Sequence, residues 1–327
     1  LQYSAAVGGP IVRGKAWWFG ALEYRDQDAV VQVGERDPAT RTIGRALAAA
    51  RLDDLLATGR VDLRASDVDT LAFRYVLQDA EDVAGSTLDR AIGSESQRQA
   101  GRNRHHQGLA TWTRTLGSTG VNTLRVSYSD YRNSIDPVSP GRQLTFPSIQ
   151  DGSSFRVPQG TEQARWQLSE SVSWVKGAHT LRFGGEVSRT KGRFDLGVFR
   201  DGRVEMVQDF PQFDLNRDGR VDDDDLLFAV TLRSGRPDQD LVLDDCSSTY
   251  LAGFVQDDWR VTPQLTLNVG LRWEMDTNVK NISGYGDINP IVQPFLQGER
   301  KRDLDNFGPR LGLAWPNRAG SLQVHGG

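Results

Sequence analysis

The clearest pattern in the chain is an alternation of apolar and polar residues over positions 265–275. One set of alternate positions holds Leu265, Leu267, Val269, Leu271 and Trp273, and the other holds Thr266, Asn268, Gly270, Arg272 and Glu274. A period of two predicts a β-strand whose two faces meet different surroundings. The run is about eleven residues long, which is what a tilted strand needs to cross a membrane, whereas soluble strands average about 5–6 residues. We therefore interpret this segment as a strand with lipid on one side and water on the other.

Similar segments recur along the whole chain and predict about twelve antiparallel strands. The connections between them alternate between short and long. The short ones are residues 8–14, 67–69, 117–120, 176–177, 261–264 and 316–320. The long ones cover about residues 26–59, 79–103, 133–161, 191–249 and 276–307. This rhythm is typical of an outer-membrane barrel, which has short periplasmic turns and longer extracellular loops.

One segment departs from the strand pattern. Residues 43–56, IGRALAAARLDDLL, combine helical spacing with helix-forming composition. We predict a short helix here, packed inside the first long connection; an amphipathic helix on the membrane surface is the alternative.

The tryptophans lie near the predicted strand ends, as two belts at the membrane interfaces would require. Those at the short-turn end are Trp17, Trp18, Trp174, Trp259 and Trp315, and those at the other end are Trp166 and Trp273. Aromatic residues packed in a soluble β-core are the alternative interpretation.

The composition narrows the class of protein. Only 38% of the residues are hydrophobic, and we find no apolar run long enough for a membrane-spanning helix. The net charge of -4 gives no reason to expect nucleic-acid binding. Cys246 is the only cysteine, so neither an internal disulfide nor a cysteine metal cluster is expected. Because the chain starts at Leu1 without a signal peptide and stops at Gly327 within a predicted strand, we expect it to be a piece of a longer protein.

We find no motif that predicts catalysis. There is neither a G-x-S-x-G elbow nor a phosphate-binding G-x-x-x-x-G-K-[ST] loop. The adjacent His105 and His106 would point to opposite faces of a strand, so they are poorly placed to share a metal. We expect a protein that is not an enzyme.

The sharpest chemical motif is DLNRDGRVDDDD, residues 214–225, which predicts a calcium-binding loop. EF-hand loops place oxygen ligands at alternate positions and a glycine where the chain bends. The ligand positions here are Asp214, Asn216, Asp218, Arg220 through its backbone carbonyl, Asp222 and Asp225. Gly219 occupies the bend and Val221 the apolar eighth position.

Aspartate rather than glutamate stands at the twelfth position, so the loop looks more like that of a dockerin repeat, and its affinity is expected to be lower. We predict a helix continuing from Leu226 through Ala229 to Leu232, and no helix before the loop because Pro211 precedes it. No second copy of the loop is visible. The alternative is an aspartate-rich surface loop without an ion.

Four stretches resemble the barrel of TonB-dependent outer-membrane receptors. They are GGPIVRGKAWWFGALEY (8–24), AHTLRFGGEVSRTKGRFDLGVF (178–199), AGFVQDDWRVTPQLTLNVGLRWE (252–274) and NFGPRLGLAW (306–315). The most similar branch is the Oar-like kind, which carries a carboxypeptidase-regulatory-like domain ahead of its plug. The matches follow the expected order along most of the chain, and they lie on strands and turns, so they identify the scaffold rather than the ligand.

The resemblance implies a 22-stranded barrel of which this chain is about twelve strands, with the N-terminal plug absent. It implies that the long outer loops capture an unknown extracellular ligand, and that a TonB complex energises its uptake. Lipid would surround the barrel in the outer membrane of a Gram-negative type of cell. The polar face would hold the plug through ion pairs, from Arg74, Arg125, Arg182, Glu186, Arg272 and Glu274.

The sequence therefore predicts an all-β protein, a partial antiparallel transmembrane β-barrel over residues 1–327. Its longest loop, residues 191–249, would hold a structural calcium ion at 214–225. Two other functions stay open: a surface adhesion barrel that binds without transport, and a secreted soluble calcium-binding β-protein.

Overall fold

The computed structural model describes residues 1–84, 92–233, 240–244, 246–277, 291, 293–295, 303–316 and 323–326. In chain order its first nine strands are β1 (Gln2–Val12), β2 (Ala16–Asp37), β3 (Thr42–Arg64), β4 (Asp69–Ala84), β5 (Ile92–Gly93), β6 (Gln99–Leu116), β7 (Gly120–Pro137), β8 (Gln143–Thr145) and β9 (Ile149–Gly152). The next nine are β10 (Gln159–Lys176), β11 (His179–Leu196), β12 (Arg203–Met206), β13 (Phe228–Leu232), β14 (Leu241–Leu243), β15 (Ser248–Thr262), β16 (Leu265–Asp276), β17 (Phe307–Pro316) and β18 (Gln323–Gly326). Single-turn 3-10 helices lie at Glu95–Gln97, Asp223–Asp225 and Gln293–Phe295.

Twelve strands form one antiparallel sheet, which we call the wall. Its order is β1-β2-β3-β4-β6-β7-β10-β11-β15-β16-β17-β18, and β14 pairs beside it with the end of β11. The predicted all-β, antiparallel architecture of about twelve strands is confirmed. The described strands do not close into a barrel by themselves, since β1 and β18 lie at opposite edges of the sheet.

The register of the wall sorts its side chains into an apolar face and a polar face. On the apolar face Leu271 lies opposite Val255, which in turn lies opposite Phe183. The neighbouring Phe254, whose orientation the sequence leaves ambiguous, is on the polar face and covers Gly184. The alternation predicted for residues 265–275 therefore extends across several strands.

Aromatic side chains mark the two ends of the apolar face. Tyr75, Tyr128 and Trp166 lie in one row of the register around Gly108, and the rings of Tyr128 and Trp166 are 4.6 Å apart. Trp174 lies eight residues from Trp166 on β10, which is about 26 Å along the strand. Allowing for strand tilt, this spacing suits the roughly 25 Å apolar band of an outer-membrane barrel.

The predicted helix at residues 43–56 is wrong, because the segment lies within β3. β2 and β3 pair over 22 residues, so a four-residue turn at 38–41 replaces the long connection predicted for 26–59. Alanine and leucine favour a helix locally, but an uninterrupted ladder to β2 on one side and to β4 on the other outweighs that preference. The alternative membrane-surface helix is excluded for the same reason.

Most of the predicted short turns are confirmed, with one shift. Gly8, Gly9 and Pro10 lie inside β1, and the turn is at residues 13–15, where Gly14 adopts φ 74°. Proline is tolerated in β1 because this strand is at the edge of the described sheet. The predicted turn at 316–320 and most of the connection at 276–307 lie outside the described residues.

The long connections after β4, β7 and β11 meet beyond one end of the wall, which we call its outer end. They supply the strands of a second, mixed sheet in the order β13-β12-β8-β9-β5. We call the described parts of these connections the loop assembly. Its apolar core includes Phe146, Ile149, Val157 and Val204, all buried. The described parts of the three loops therefore fold together as one unit and are not three independent loops.

Among the described residues, helices are too short and too polar to span a bilayer.

Candidate functional site at the outer end of the wall

The loop assembly is seated on the hairpin of β2 and β3, which rises beyond the aromatic row of Tyr75. Val33 and Ala48 of this hairpin are buried. Gly34 fits against Ile149, which is fully buried, and Ile92: a Cβ at Gly34 would lie 2.7 Å from Ile149 Cδ1 and 2.9 Å from Ile92 Cγ2. Real Cβ atoms do not approach so closely, so only glycine allows these two loops to rest on β2.

Arg36 joins the hairpin to the third loop. Its guanidinium donates two 2.7 Å hydrogen bonds to the Asp223 carboxylate and a 2.9 Å bond from Nε to the Asp209 carbonyl. The same group lies 4.4 Å from the ring centre of Phe146 and 5.1 Å from that of Phe210. The Arg36 side chain is only 7% exposed. Paired, stacked and buried, it connects the hairpin and two loops at one point.

The predicted calcium loop lies in this third loop, next to Arg36. The Asp218 N–H donates to Asp214 Oδ1 (3.2 Å) and to Asn216 Oδ1 (2.9 Å), so these two predicted ligand oxygens are close together. Asp218 Oδ1 accepts from the Arg220 N–H at 2.8 Å. Gly219 adopts φ 87°, in agreement with its predicted place at the bend. The first, third and fifth predicted positions therefore lie close together.

Asp225, the twelfth position, holds the two ends of the loop together. Its carboxylate accepts hydrogen bonds from the N–H groups of Leu215 (2.7 Å), Asn216 (3.0 Å) and Asp222 (3.2 Å), and its side chain is buried. The bond from Asn216 is the largest influence on its pKa; the bonds from Asp222 and Leu215 act in the same direction, and together they lower the pKa against the opposing effect of burial. Asp222 caps the turn by accepting from the Asp224 N–H at 3.1 Å.

The segment after this loop differs from the sequence prediction. Residues 228–232 form β13, paired with β12, instead of the predicted exiting helix. Alternating apolar residues Phe228, Val230 and Leu232 suit a strand, and pairing with β12 settles the choice. Within the described residues, no group of three or more His, Cys, Asp or Glu side chains has a metal-holding arrangement. The calcium site thus stays a prediction, carried by the oxygens of Asn216 and Arg220 as well as by carboxylates.

A second charged cluster lies on the polar face of the wall, toward the short turns. Arg60 and Arg74 are directly opposite each other on β3 and β4. Arg60 makes two 2.8 Å hydrogen bonds to Asp62, whereas among the described residues no carboxylate pairs with Arg74 or Arg125. Together they line a cavity of about 570 Å³. Like charges opposite each other in a sheet are unfavourable, so this cluster suits a negatively charged neighbour.

The other residues predicted to line the polar face carry internal partners. Arg182 lies 3.5 Å from Asp258, and Glu186 accepts from Gln167 at 2.8 Å. Arg272 donates to Glu274 at 3.0 Å. These groups are therefore largely satisfied within the wall.

Sequence reasoning missed Gly34, Arg36 and Ile149. Ile149 is more than a hundred residues from Gly34 and Arg36, and none of the three belongs to a motif. The available signal is the continuation of period-two spacing through Val31 and Val33, which indicates that β2 extends past the membrane band.

Comparison with known proteins agrees with this architecture. The family model for an outer membrane beta barrel domain matches residues 46–327. No curated protein matches the chain.

The fold is similar to solved outer-membrane proteins of low sequence identity. The outer membrane transporter YddB from Escherichia coli is 10% identical with a TM-score of 0.59, covering 98% of this chain and 36% of that one. A complex of FpvA from P. aeruginosa with a heterologous pyoverdine is 12% identical with a TM-score of 0.58, covering 96% and 38%. The siderophore receptor PiuA from Acinetobacter baumannii is 10% identical with a TM-score of 0.52, covering 97% and 45%.

The matched outer membrane beta barrel family places the apolar face against lipid. This chain spans less than half the length of each of these three structures, and none of them distinguishes an Oar-like branch, which stays a prediction. The outer-membrane location excludes the secreted soluble alternative. From the matched family model and the wall that it describes, the chain belongs to the outer membrane beta barrel domain family.

Proposed function

We propose that this chain is the wall and part of the ligand-capturing surface of a TonB-energised outer-membrane receptor. The observation that carries the proposal is the loop assembly: three long connections from one end of the wall fold into a single sheet seated on the β2–β3 hairpin. Long loops that merely connect strands need no shared core. A folded outer surface on a membrane wall is what selective capture requires.

The structural neighbours support a receptor in general. FpvA is described in complex with ferric pyoverdine and with pyocin S2, and YddB is described as a transporter. Those ligands belong to those proteins. For this chain we propose capture of an extracellular ligand whose chemistry the loops do not specify.

We further propose that the Arg60, Arg74 and Arg125 cluster is where the plug rests. Two of these guanidinium groups have no carboxylate partner among the described residues, and the cavity faces the lumen expected of the complete barrel. Acidic side chains of the plug would neutralise the cluster. Energised displacement of the plug would then need to break only a few ion pairs exposed to water.

The experiment compares wild-type cells with two mutant strains, one lacking the whole receptor and one lacking TonB. Profiling of small molecules left in the culture medium identifies what each strain fails to remove. The proposal expects at least one compound to persist in both mutant cultures and to disappear again when the receptor gene is restored. A receptor deletion that leaves the medium unchanged under every growth condition would contradict transport.

A surface-binding barrel without transport is the second candidate, and exposed apolar residues of β13 favour it. Phe228, Val230 and Leu232 are all exposed on an edge strand of the outer sheet. Such an edge can pair with another protein strand. Loss of cell adhesion in the receptor deletion, but not in the TonB deletion, would support this candidate over uptake.

We also propose that residues 214–225 bind a structural calcium ion. Support comes from the ligand spacing, from the shared contacts of Asp214, Asn216 and Asp218, and from Asp225, which brings the loop ends together. Extracellular calcium modules bind with dissociation constants of about 10⁻⁴–10⁻³ M.

Titration calorimetry of the full-length receptor should give a calcium dissociation constant in that range, and the binding heat should disappear in D214N/D218N. The matched control is D224N, an exposed carboxylate outside the ligand pattern. No heat at millimolar calcium would contradict the proposal.

A further inference from the structure

The apolar face of the wall carries a groove just below its outer aromatic row. The groove has a volume of about 700 Å³ and is bounded by Trp18, Phe73, Tyr75, Tyr128 and Trp166. Its lining is almost wholly apolar. A groove of this size, with aromatic side chains along its sides, can hold one acyl chain of a lipid in place.

The floor of the groove is backbone. Gly59 and Gly108 lie on either side of Tyr75 in the register, and a Cβ added at either glycine would meet no heavy atom within 4 Å. The space above them is therefore open. Tyr75 and Tyr128 flank Gly108, so the groove here is one residue wide and has aromatic sides.

Polar side chains begin immediately beyond the groove, toward the outer end. Tyr75 Oη lies 2.6 Å from His106 Nδ1. Arg104 and Arg132 follow, directly opposite each other on β6 and β7. Arg132 is four residues from Tyr128, or about 13 Å along the strand. Both arginine side chains are exposed, at 42% and 60%.

The charges around these arginines leave an excess of positive charge. From the Trp166 row outward through the Arg132 row, the basic side chains on this face are Arg104, Arg132, Arg189, Lys191 and Arg193, and the acidic ones are Asp79, Asp130, Glu162 and Asp244, which lies 3.0 Å from Arg193.

Two of the acidic groups, Asp79 and Asp130, already accept hydrogen bonds from arginines. Asp79 accepts hydrogen bonds from both Arg102 and Arg104. Arg132 donates to Asp130 through Nε at 3.2 Å, and its two terminal nitrogens have no hydrogen-bond partner among the described residues. Such groups suit a phosphate oxygen.

We propose that the groove and the arginines above it bind one anionic, phosphate-bearing lipid of the outer leaflet. One acyl chain would lie over Gly108 between Tyr75 and Tyr128, and the phosphate would meet Arg104 and Arg132. The membrane is the source of the ligand because the groove opens on the face that the family places against lipid. The groove and both arginines are built on strands of the wall, so the site stands whether or not the receptor transports a ligand.

The test uses the full-length receptor reconstituted in vesicles of phosphatidylcholine alone or of equal parts phosphatidylcholine and lipid A, followed by native mass spectrometry. Wild type should retain lipid A through detergent extraction. R104Q/R132Q should retain it about thirtyfold more weakly, from the loss of two charges near an anionic surface. R104K/R132K keeps the charges and should stay close to wild type. G108L fills the groove and should also reduce retention, with unchanged heat-modifiable migration showing that the barrel is intact.

Either of two results would overturn the proposal. One is retention of lipid A by R104Q/R132Q or by G108L at the wild-type level. The other comes from the melting temperature of the receptor. If inorganic phosphate alone raises it as much as lipid A does, the arginines are a site for free phosphate.

Discussion

Asp225 shows how one carboxylate can organise a loop of twelve residues. Its oxygens accept hydrogen bonds from three backbone N–H groups, which lie near both ends of the 214–225 segment. In D225N one acceptor is replaced by an amide donor, which leaves a buried N–H unsatisfied. We expect faster protease cleavage within the loop, measured on the intact receptor, together with weaker calcium binding. D224N should cleave at the wild-type rate.

The pH dependence of this loop follows from the same contacts. Because hydrogen bonding lowers the folded-state pKa of Asp225, the unfolded loop binds the proton more tightly than the folded loop does. Stability is therefore fully present above the ordinary aspartate pKa of about 3.9 and is lost as the pH falls through the lower folded value. Cleavage by an acid-active protease should rise below about pH 4 in wild type. In D225N this pH-dependent step should be absent, and its persistence there would contradict the assignment.

Arg36 carries the largest single set of polar contacts between the hairpin and the loop assembly. R36Q removes the paired bonds to Asp223 and the stacking on Phe146. Because Asp223 is 43% exposed, we expect a loss of only about 2 kcal/mol in the local opening free energy of residues 209–225. Amide hydrogen exchange over residues 209–225 measures this opening free energy. R45Q, on the exposed neighbouring strand with one 3.4 Å bond to Gln32, should change exchange little; equal effects of both variants would contradict the assignment.

The β2–β3 hairpin shows what sequence patterns can and cannot predict at the scale of elements. Strands such as β16 were predictable because a lipid-facing strand needs strict alternation. In residues 43–56 the alanines give no such contrast, and helix propensity misled the prediction. Pairing partners on β2, 7 to 33 residues away in the chain, decided the outcome, and helix propensity carries no information about such partners.

A substitution at Gly34 tests whether the β2–β3 hairpin supports the loop assembly. G34L would place a side chain where Ile149 and Ile92 already lie, and Ile149 has no exposed surface into which to move. We expect overpacking of about 1–3 kcal/mol, seen as faster hydrogen exchange over residues 143–152 with the membrane strands unaffected. Gly44, on the adjacent strand, has neighbours only at 3.9 and 4.0 Å, so G44L is the matched control. Wild-type protection in G34L would show that the loops rest elsewhere.

At the scale of the whole molecule, the sequence predicted the number and the two faces of the wall strands, but neither the full length of β2 and β3 nor the loop assembly. Twelve strands with two distinct faces follow from alternation and turn spacing, both local properties. The second sheet joins three connections through short strands in mixed parallel and antiparallel pairs. Two- to five-residue strands leave no periodic signal, and their partners come from different loops. The calcium motif was visible because its spacing is local, whereas its docking through Arg36 was not.

The central claim is that a folded loop assembly outside the membrane captures the ligand. It is tested by replacing residues 197–247 of the full-length receptor with a short Gly-Ser linker and measuring removal of the receptor-dependent compound from the medium. The account predicts that this variant reaches the outer membrane in heat-modifiable form and leaves the compound in the medium, as the receptor deletion does. Removal of the compound at the wild-type rate by the linker variant would contradict the account.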